Sequence, residues 1–142
     1  MKKAIIVYWS GTGNTEIMAE KIKEGLEDNN YEVELTEVYD AEIEEVLKYD
    51  KIAFGCPSMG IEELEEEEFE PFFAEILPEL HDKKIALFGS YGWGDGEWME
   101  EWEERVLAEN IELFEKGLII NSTPSTDEEE ECYEFGKRFA EF

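Results

Sequence analysis

The chain has 142 residues, 39 of them acidic and 12 basic, and a formal net charge of −27. That length supports one hydrophobic core, and an apolar content of 42% argues against disorder driven by charge. The charge argues against nucleic acid and anionic lipid as partners, since both need a surface that neutralises phosphates; basic proteins, small molecules and cations are left. Ala4–Trp9 is a continuous apolar run of strand length, as expected where both sheet faces are covered. Over residues 14–28, Ile17, Met18, Ile22 and Leu26 fall on one helical stripe. Tyr31–Val38 alternates apolar and polar and suits an outer strand, and Lys51–Gly55 reads as a third strand. Phe69, Phe72, Phe73, Ile76, Leu77 and Leu80 form the next helical stripe, and Lys84–Gly89 a fourth strand. A helix at about 97–109 carries Trp98, Met99, Trp102 and Val106, and a strand lies near Ile111–Ile120. The last helix, about 127–141, presents Cys132, Phe135, Phe139 and Ala140, with Glu128–Glu131 in its first turn favouring its dipole.

Five β–α units in succession predict an α/β fold, an open five-stranded parallel sheet with helices on both faces, forming one domain over 1–142. Ligands of such sheets sit at the carboxyl ends of the strands, where the strand order reverses. Elsewhere the chemistry is sparse. Cys56 and Cys132 are too few for a disulfide framework or thiolate cluster, and His81, the lone histidine, rules out any site needing two. No catalytic residue and no metal site is expected. No apolar stretch reaches the ~18 residues that a membrane span needs. The basic start before Ala4–Trp9 resembles a signal peptide, but Ser10 and Gly11 stop the apolar run after six residues, too short for a secretory segment. The expectation is a cytoplasmic protein, monomeric through self-repulsion, with no nucleic acid or membrane partner.

Three loops follow three of the strands. The first, Trp9-Ser10-Gly11-Thr12-Gly13-Asn14-Thr15, is rich in glycine and hydroxyls and opens directly into a helix. Glycines let several N–H groups converge on one anion, and the helix N-terminus adds partial positive charge. A Walker A loop would need Gly-Lys-Ser/Thr, and a dinucleotide fingerprint would need glycine where Glu16 stands. An ordinary capped turn would need only one of these hydroxyl or amide residues, Asn14 or Thr15. The loop therefore reads as a phosphate cradle without a lysine. The second loop, Gly55-Cys56-Pro57-Ser58-Met59-Gly60-Ile61-Glu62-Glu63, carries a polarisable methionine. The third, Gly89-Ser90-Tyr91-Gly92-Trp93-Gly94-Asp95-Gly96, holds a tryptophan among glycines, poor core material but suited to covering a planar ring.

These three loops, with Phe69-Glu70-Pro71-Phe72 between the last two, resemble the short-chain flavodoxins of clostridial type over essentially the whole chain. The resemblance implies strand order 2-1-3-4-5 and noncovalent FMN in a low-potential one-electron carrier that is not an enzyme, working mainly between semiquinone and hydroquinone. It implies that Ser10, Gly11, Thr12, Gly13, Asn14 and Thr15 meet the phosphate, and that Met59 and Trp93 cover the two ring faces. Pro57 and Ser58 lead into Met59, and the Gly60 carbonyl turns to accept the N5 hydrogen of the semiquinone. Ile61 stands where clostridial members usually have Asp, and Glu62 approaches the N3 edge. Ser90, Tyr91, Gly92, Trp93, Gly94 and Asp95 make up the third wall, with backbone N–H groups from Gly92 onward meeting the pyrimidine oxygens. A β-branched Ile61 makes the turned peptide less comfortable and weakens semiquinone stabilisation.

Acidic runs lie beside two of the loops, seven glutamates in Glu62–Glu70 and five in Glu97–Glu104, and they point to basic-surfaced redox proteins as electron donors and acceptors. An alternative is an FMN-dependent NAD(P)H or quinone reductase on the same fold. It would need open space above the flavin and basic residues for a nucleotide phosphate. A flavin-free regulatory module would need acids at the end of strand one, where Trp9-Ser10-Gly11 stands instead.

Overall fold

The computed structural model describes residues 2–142. In chain order the elements are β1 (Lys2–Tyr8), α1 (Asn14–Glu27), β2 (Tyr31–Glu37), α2 (Ile43–Val46) and β3 (Lys51–Gly55). Then come α3 (Phe69–Ile76), β4 (Lys84–Tyr91), α4 (Glu97–Ala108), β5 (Glu112–Leu113), β6 (Leu118–Asn121) and α5 (Thr126–Glu141). All strand pairs are parallel, in the order β2-β1-β3-β4-β5, with β6 also on β4. The predicted α/β sheet and the order implied by the resemblance are both present.

Alternation along the central strands sorts the core into two layers. Ile5, Val7, Ile52, Phe54, Ile85 and Leu87 face α3 and α4, while Ala4, Ile6, Ala53, Ala86 and Phe88 face α1 and α5. On the first face Phe69 and Phe73 meet Trp102 edge-on, each with ring centroids 5.5 Å away. The second face is closed by glycine. A Cβ on Gly25 of α1 would collide with the Tyr133 carbonyl of α5, and one on Gly136 of α5 with the Ile22 carbonyl of α1, so these helices meet backbone to backbone. Helix α5 starts at a capping box, Ser125 Oγ accepting from Glu128 N and Glu128 Oε1 from Ser125 N. Its other end is held by the buried Lys51, whose Nζ donates to the carbonyls of Phe139 (2.7 Å), Ala140 (3.1 Å) and Phe142 (3.0 Å).

Two expectations need correction. The five-stranded sheet has six strands, because the strand expected near Ile111–Ile120 is broken. Pairing passes from Ile85↔Leu113 to Phe88↔Leu118, so residues 114–117 lie opposite only Ala86 and Leu87. The excess leaves the ladder at Glu115 (φ 47°), with Phe114 buried against Phe135 and Phe139 and Gly117 N donating to Glu103. The second correction is to the count of five β–α units: no helical stripe is read between Val38 and Lys51, and the β2–β3 crossover holds only a short 3₁₀ turn at Val38–Asp40 and the four-residue α2.

Candidate cofactor site

The site is built at the carboxyl edge of β1, β3 and β4. In the first loop Ser10 Oγ accepts from Gly13 N (3.1 Å) and Glu16 N (3.3 Å), folding the loop over the start of α1, and Gly13 takes φ 97°. Among the described residues nothing accepts from the N–H groups of Gly11, Thr12, Asn14 and Thr15. The Ser10 oxygen is used by two donors, which leaves its proton to give. Asn14 Oδ1 accepts from Thr123 Oγ1 (3.0 Å), which leaves the amide nitrogen as a donor. Glu16, the acid in this first turn, is drawn aside by a hydrogen bond from the Tyr8 hydroxyl (2.8 Å). Burial, with Glu16 and Glu37 adding to it, holds the Tyr8 phenol well above its ordinary range, so it remains a donor. The result is a pocket of donors with no full positive charge, the chemistry that a phosphate ester needs at a helix N-terminus.

In the second loop Cys56 N and Ser58 N donate to the Phe88 and Ser90 carbonyls, which carries the β3–β4 ladder past the end of the strand. Met59 and Glu63 exchange both backbone hydrogen bonds (2.7 and 2.8 Å) across Gly60-Ile61-Glu62. Gly60 has φ 52° and Glu62 φ 48°, and the Ile61 side chain at the tip is 82% exposed. Beyond the tip, the Glu65 carboxylate accepts from the N–H groups of Glu67, Glu68 and Phe69, capping α3. Burial pushes the Cys56 thiol far up, and its Sγ accepts from Glu65 N, so it acts as a spacer beneath the loop.

The third loop leaves β4 at Tyr91, whose carbonyl accepts from Ser122 N (2.7 Å) and whose ring packs on Trp98 at 5.5 Å. Trp93 is 61% exposed and Met59 38% exposed, both high for large apolar side chains. The Glu62 Oε1 atom crosses from the second loop to accept from Gly96 N (3.1 Å) and Glu97 N (3.0 Å), joining that loop to the start of α4.

One cavity of about 250 Å³ gathers Ser10, Gly11, Thr12, Asn14, Thr15, Pro57, Ser58, Met59, Ser90, Tyr91 and Gly92 from all three loops. Gly13 sits in the turn that shapes it, and Gly60 and Ile61 border an adjoining groove on the far side of Met59. Glu62 reaches α4, while Trp93, Gly94 and Asp95 form the exposed third loop and do not line the cavity. Trp9 and Ser122 also line it and were not singled out from sequence. Both immediately follow parallel strands at the same edge, which was the available signal. His81 is exposed at the turn before β4, and Cys132 is buried in the α5 core face. A larger groove, about 530 Å³, runs beneath the β2–β3 crossover between Lys3, Glu34, Glu45 and Lys48, away from the three loops.

A doubly wound sheet with an anion cradle opening its first helix, and exposed Met59 and Trp93 on the neighbouring loops, defines a protein that holds a flat, phosphorylated cofactor. The family described as Flavodoxin matches residues 6–136. The chain is 50% identical over 135 residues to a flavodoxin of Clostridium beijerinckii, covering 95% of this chain and 97% of that one. It is 44% identical to a flavodoxin of Megasphaera elsdenii, covering 95% and 96%. The solution structure of the two-electron reduced Megasphaera elsdenii flavodoxin superposes with TM-score 0.88 over 98% of this chain and 99% of that chain, at 42% identity. The chain belongs to the flavodoxin family, and is a small electron carrier whose cofactor is FMN.

Proposed function

We propose that this chain holds the FMN phosphate in the Ser10–Thr15 cradle and the ring between Met59 and Trp93, and that it exchanges electrons with basic-surfaced proteins. The observation that carries the reading is the set of four N–H groups, at Gly11, Thr12, Asn14 and Thr15, that have no acceptor among the described residues and belong to residues lining one cavity together with Ser10. Bound FMN supplies a one-electron redox centre; the chain supplies position and field. Ser10, Thr12, Asn14 and Thr15 hold the anion, with Gly11 and Gly13 shaping the backbone that presents them. Pro57, Ser58, Ser90 and Tyr91 line the space leading to the ring. Gly60, already at φ 52°, is the point where a peptide turns at low cost, and Ile61 after it limits that turn. The free Oε2 of Glu62 and the backbone of Gly92, Gly94 and Asp95 serve the ring's polar edge.

The two acidic runs beside this edge oppose any added negative charge, which favours release of electrons at low potential. Lys2, Lys3, Lys51, Lys83 and Lys84 gather at the opposite edge, where the strands begin, so the chain is polarised with its acidic end at the site. That polarity orients the loops toward a basic partner. The reductase alternative is not favoured, since Met59 and Trp93, set over the ring as proposed, would cover the faces that a nicotinamide needs. No helix of the described residues is long and apolar enough to cross a membrane. Two free, buried cysteines suit a reducing compartment, and self-repulsion suits a monomer.

The test is titration of the apoprotein with FMN and with riboflavin, followed by quenching of flavin fluorescence. One equivalent of FMN should bind far more tightly than riboflavin, and equal affinities would remove the phosphate from the cradle. Rapid NADPH oxidation by the loaded protein alone would restore the reductase.

A further inference from the structure

Ser90 touches every wall of the site. Its backbone is the penultimate position of β4, its carbonyl accepts from Ser58 N of the second loop (3.0 Å), and its hydroxyl lies 2.8 Å from Thr15 Oγ1 in the first turn of α1. Thr15 is 1% and Ser90 5% exposed, yet both residues line the cavity. Each hydroxyl has one proton. A single hydrogen bond between them uses one, and among the described residues no acceptor takes the other. A buried O–H left without an acceptor costs free energy, so the pair is a donor waiting for an anion. Two arrangements exist. Either Thr15 donates to Ser90, or Ser90 donates to Thr15 and the Thr15 proton is left for the cradle. Thr15 stands in the helix turn where its own N–H and that of Asn14 have no acceptor among the described residues, which is where negative charge is favoured.

We infer that Ser90 is a positioning residue for the cofactor phosphate: by donating to Thr15 it commits the only proton of Thr15 to the anion, and so makes the site select a phosphate ester over the neutral alcohol. Two hydroxyls in series polarise each other, so the outer bond is stronger than that of an isolated threonine. This rests on the placement of the phosphate proposed above.

The experiment compares the affinities of the wild-type, Ser90→Ala, Thr15→Ala and doubly substituted apoproteins for FMN and for riboflavin, by fluorescence quenching. Ser90→Ala is expected to weaken FMN by ~10-fold, the scale of a hydrogen bond to a charged group, and riboflavin less than ~2-fold. The double variant should bind FMN no more weakly than Thr15→Ala alone, because Ser90 acts through Thr15. Equal losses for the two ligands would make Ser90 only a wall of the cavity and overturn the inference, as would additive losses in the double variant. A wild-type protein without preference for FMN would overturn the phosphate placement itself, which is a separate result. Should alanine not fold, Ser90→Cys keeps the shape with only a weak donor and carries the same comparison, with a smaller loss of the same sign.

Discussion

Removing the Glu62 carboxylate should destabilise the apoprotein, although the chain carries a net charge of −27 and gains from losing almost any acid. Glu62 Oε1 accepts from Gly96 N at 3.1 Å and Glu97 N at 3.0 Å, which makes it the side-chain cap of α4, contributed from another loop. Loss of a cap costs about 0.5–2 kcal/mol, and loss of a charge at a helix N-terminus a further ~0.3–1 kcal/mol. Relief of repulsion from the neighbouring glutamates offsets part of this, since exposed charges interact weakly in water. The net cost of Glu62→Ala is then about 1–2 kcal/mol. For a chain of this length that lowers Tm by roughly 3–7 °C, using about 2 cal/mol/K per residue for the unfolding entropy. Glu62→Gln keeps an acceptor and should lose less than half as much. Glu66, exposed in the same run with no hydrogen bond to backbone, is the control; Glu66→Ala should leave Tm unchanged or raise it. Thermal unfolding of the three apoproteins, followed by circular dichroism at low and at high salt, makes the comparison. Salt screens the general repulsion but not the short contact, so the gap between Glu62→Ala and Glu66→Ala should persist. Equal Tm values for these two variants would refute the capping role.

Trp93→Ala should weaken FMN binding by ~10-fold or more, the usual scale for stacking a flat ring on an aromatic face, while changing stability by less than ~0.5 kcal/mol because the side chain is exposed; fluorescence titration and denaturant unfolding read the two effects separately. Gly136→Ala should cost about 1–3 kcal/mol in urea unfolding, since the new methyl meets the Ile22 carbonyl and has to push α1 and α5 apart. Lys51 gives a pH dependence. Burial, followed by repulsion from Lys84 and Lys2, lowers its pKa from 10.5 to about 8. The folded protein therefore releases this proton earlier than the unfolded chain does. Between pH 8 and 10.5 the unfolded state holds more protons, so this group's contribution to stability rises with pH across that window. The difference in unfolding free energy between wild type and Lys51→Met should shift in favour of wild type from pH 7.5 to 10, with the thiols and phenols cancelling in the difference. A difference independent of pH would rule out the lowered pKa.

The sheet and its working edge were legible because the residues that make them are uniform in kind. Ala4–Tyr8, Ile52–Gly55 and Ile85–Gly89 are buried on both faces and read as runs without a polar residue in their interior, and the three loops follow these strands. The broken strand was hidden by the same rule. Ile111 to Ile120 is apolar at both ends, and the signal lay in Glu115-Lys116-Gly117, which no covered strand would hold. Side-chain direction was less legible. The spacing of Glu62 says nothing about its reaching α4, and Glu65 is indistinguishable in sequence from Glu66 and Glu67, although it alone is buried as the cap of α3. The partnership of Thr15 with Ser90, 75 residues apart, depends on β1 and β4 flanking β3, a relation of topology that no local pattern contains.

The glycine contact between α1 and α5 bears on how the site holds its ligand. Two helices in backbone contact cannot slide without one lifting over the other's carbonyls, so α1 is pinned at Gly25 while its first turn forms the cradle. One jaw of the grip is therefore part of the frame. The opposite jaw is a hairpin of three tip residues, tied to the frame by Glu62 and turning on Gly60. With FMN seated as proposed, such a frame would let the electron count change with little displacement of atoms and would confine movement to the Gly60 peptide, an economy that fast exchange with a passing partner requires.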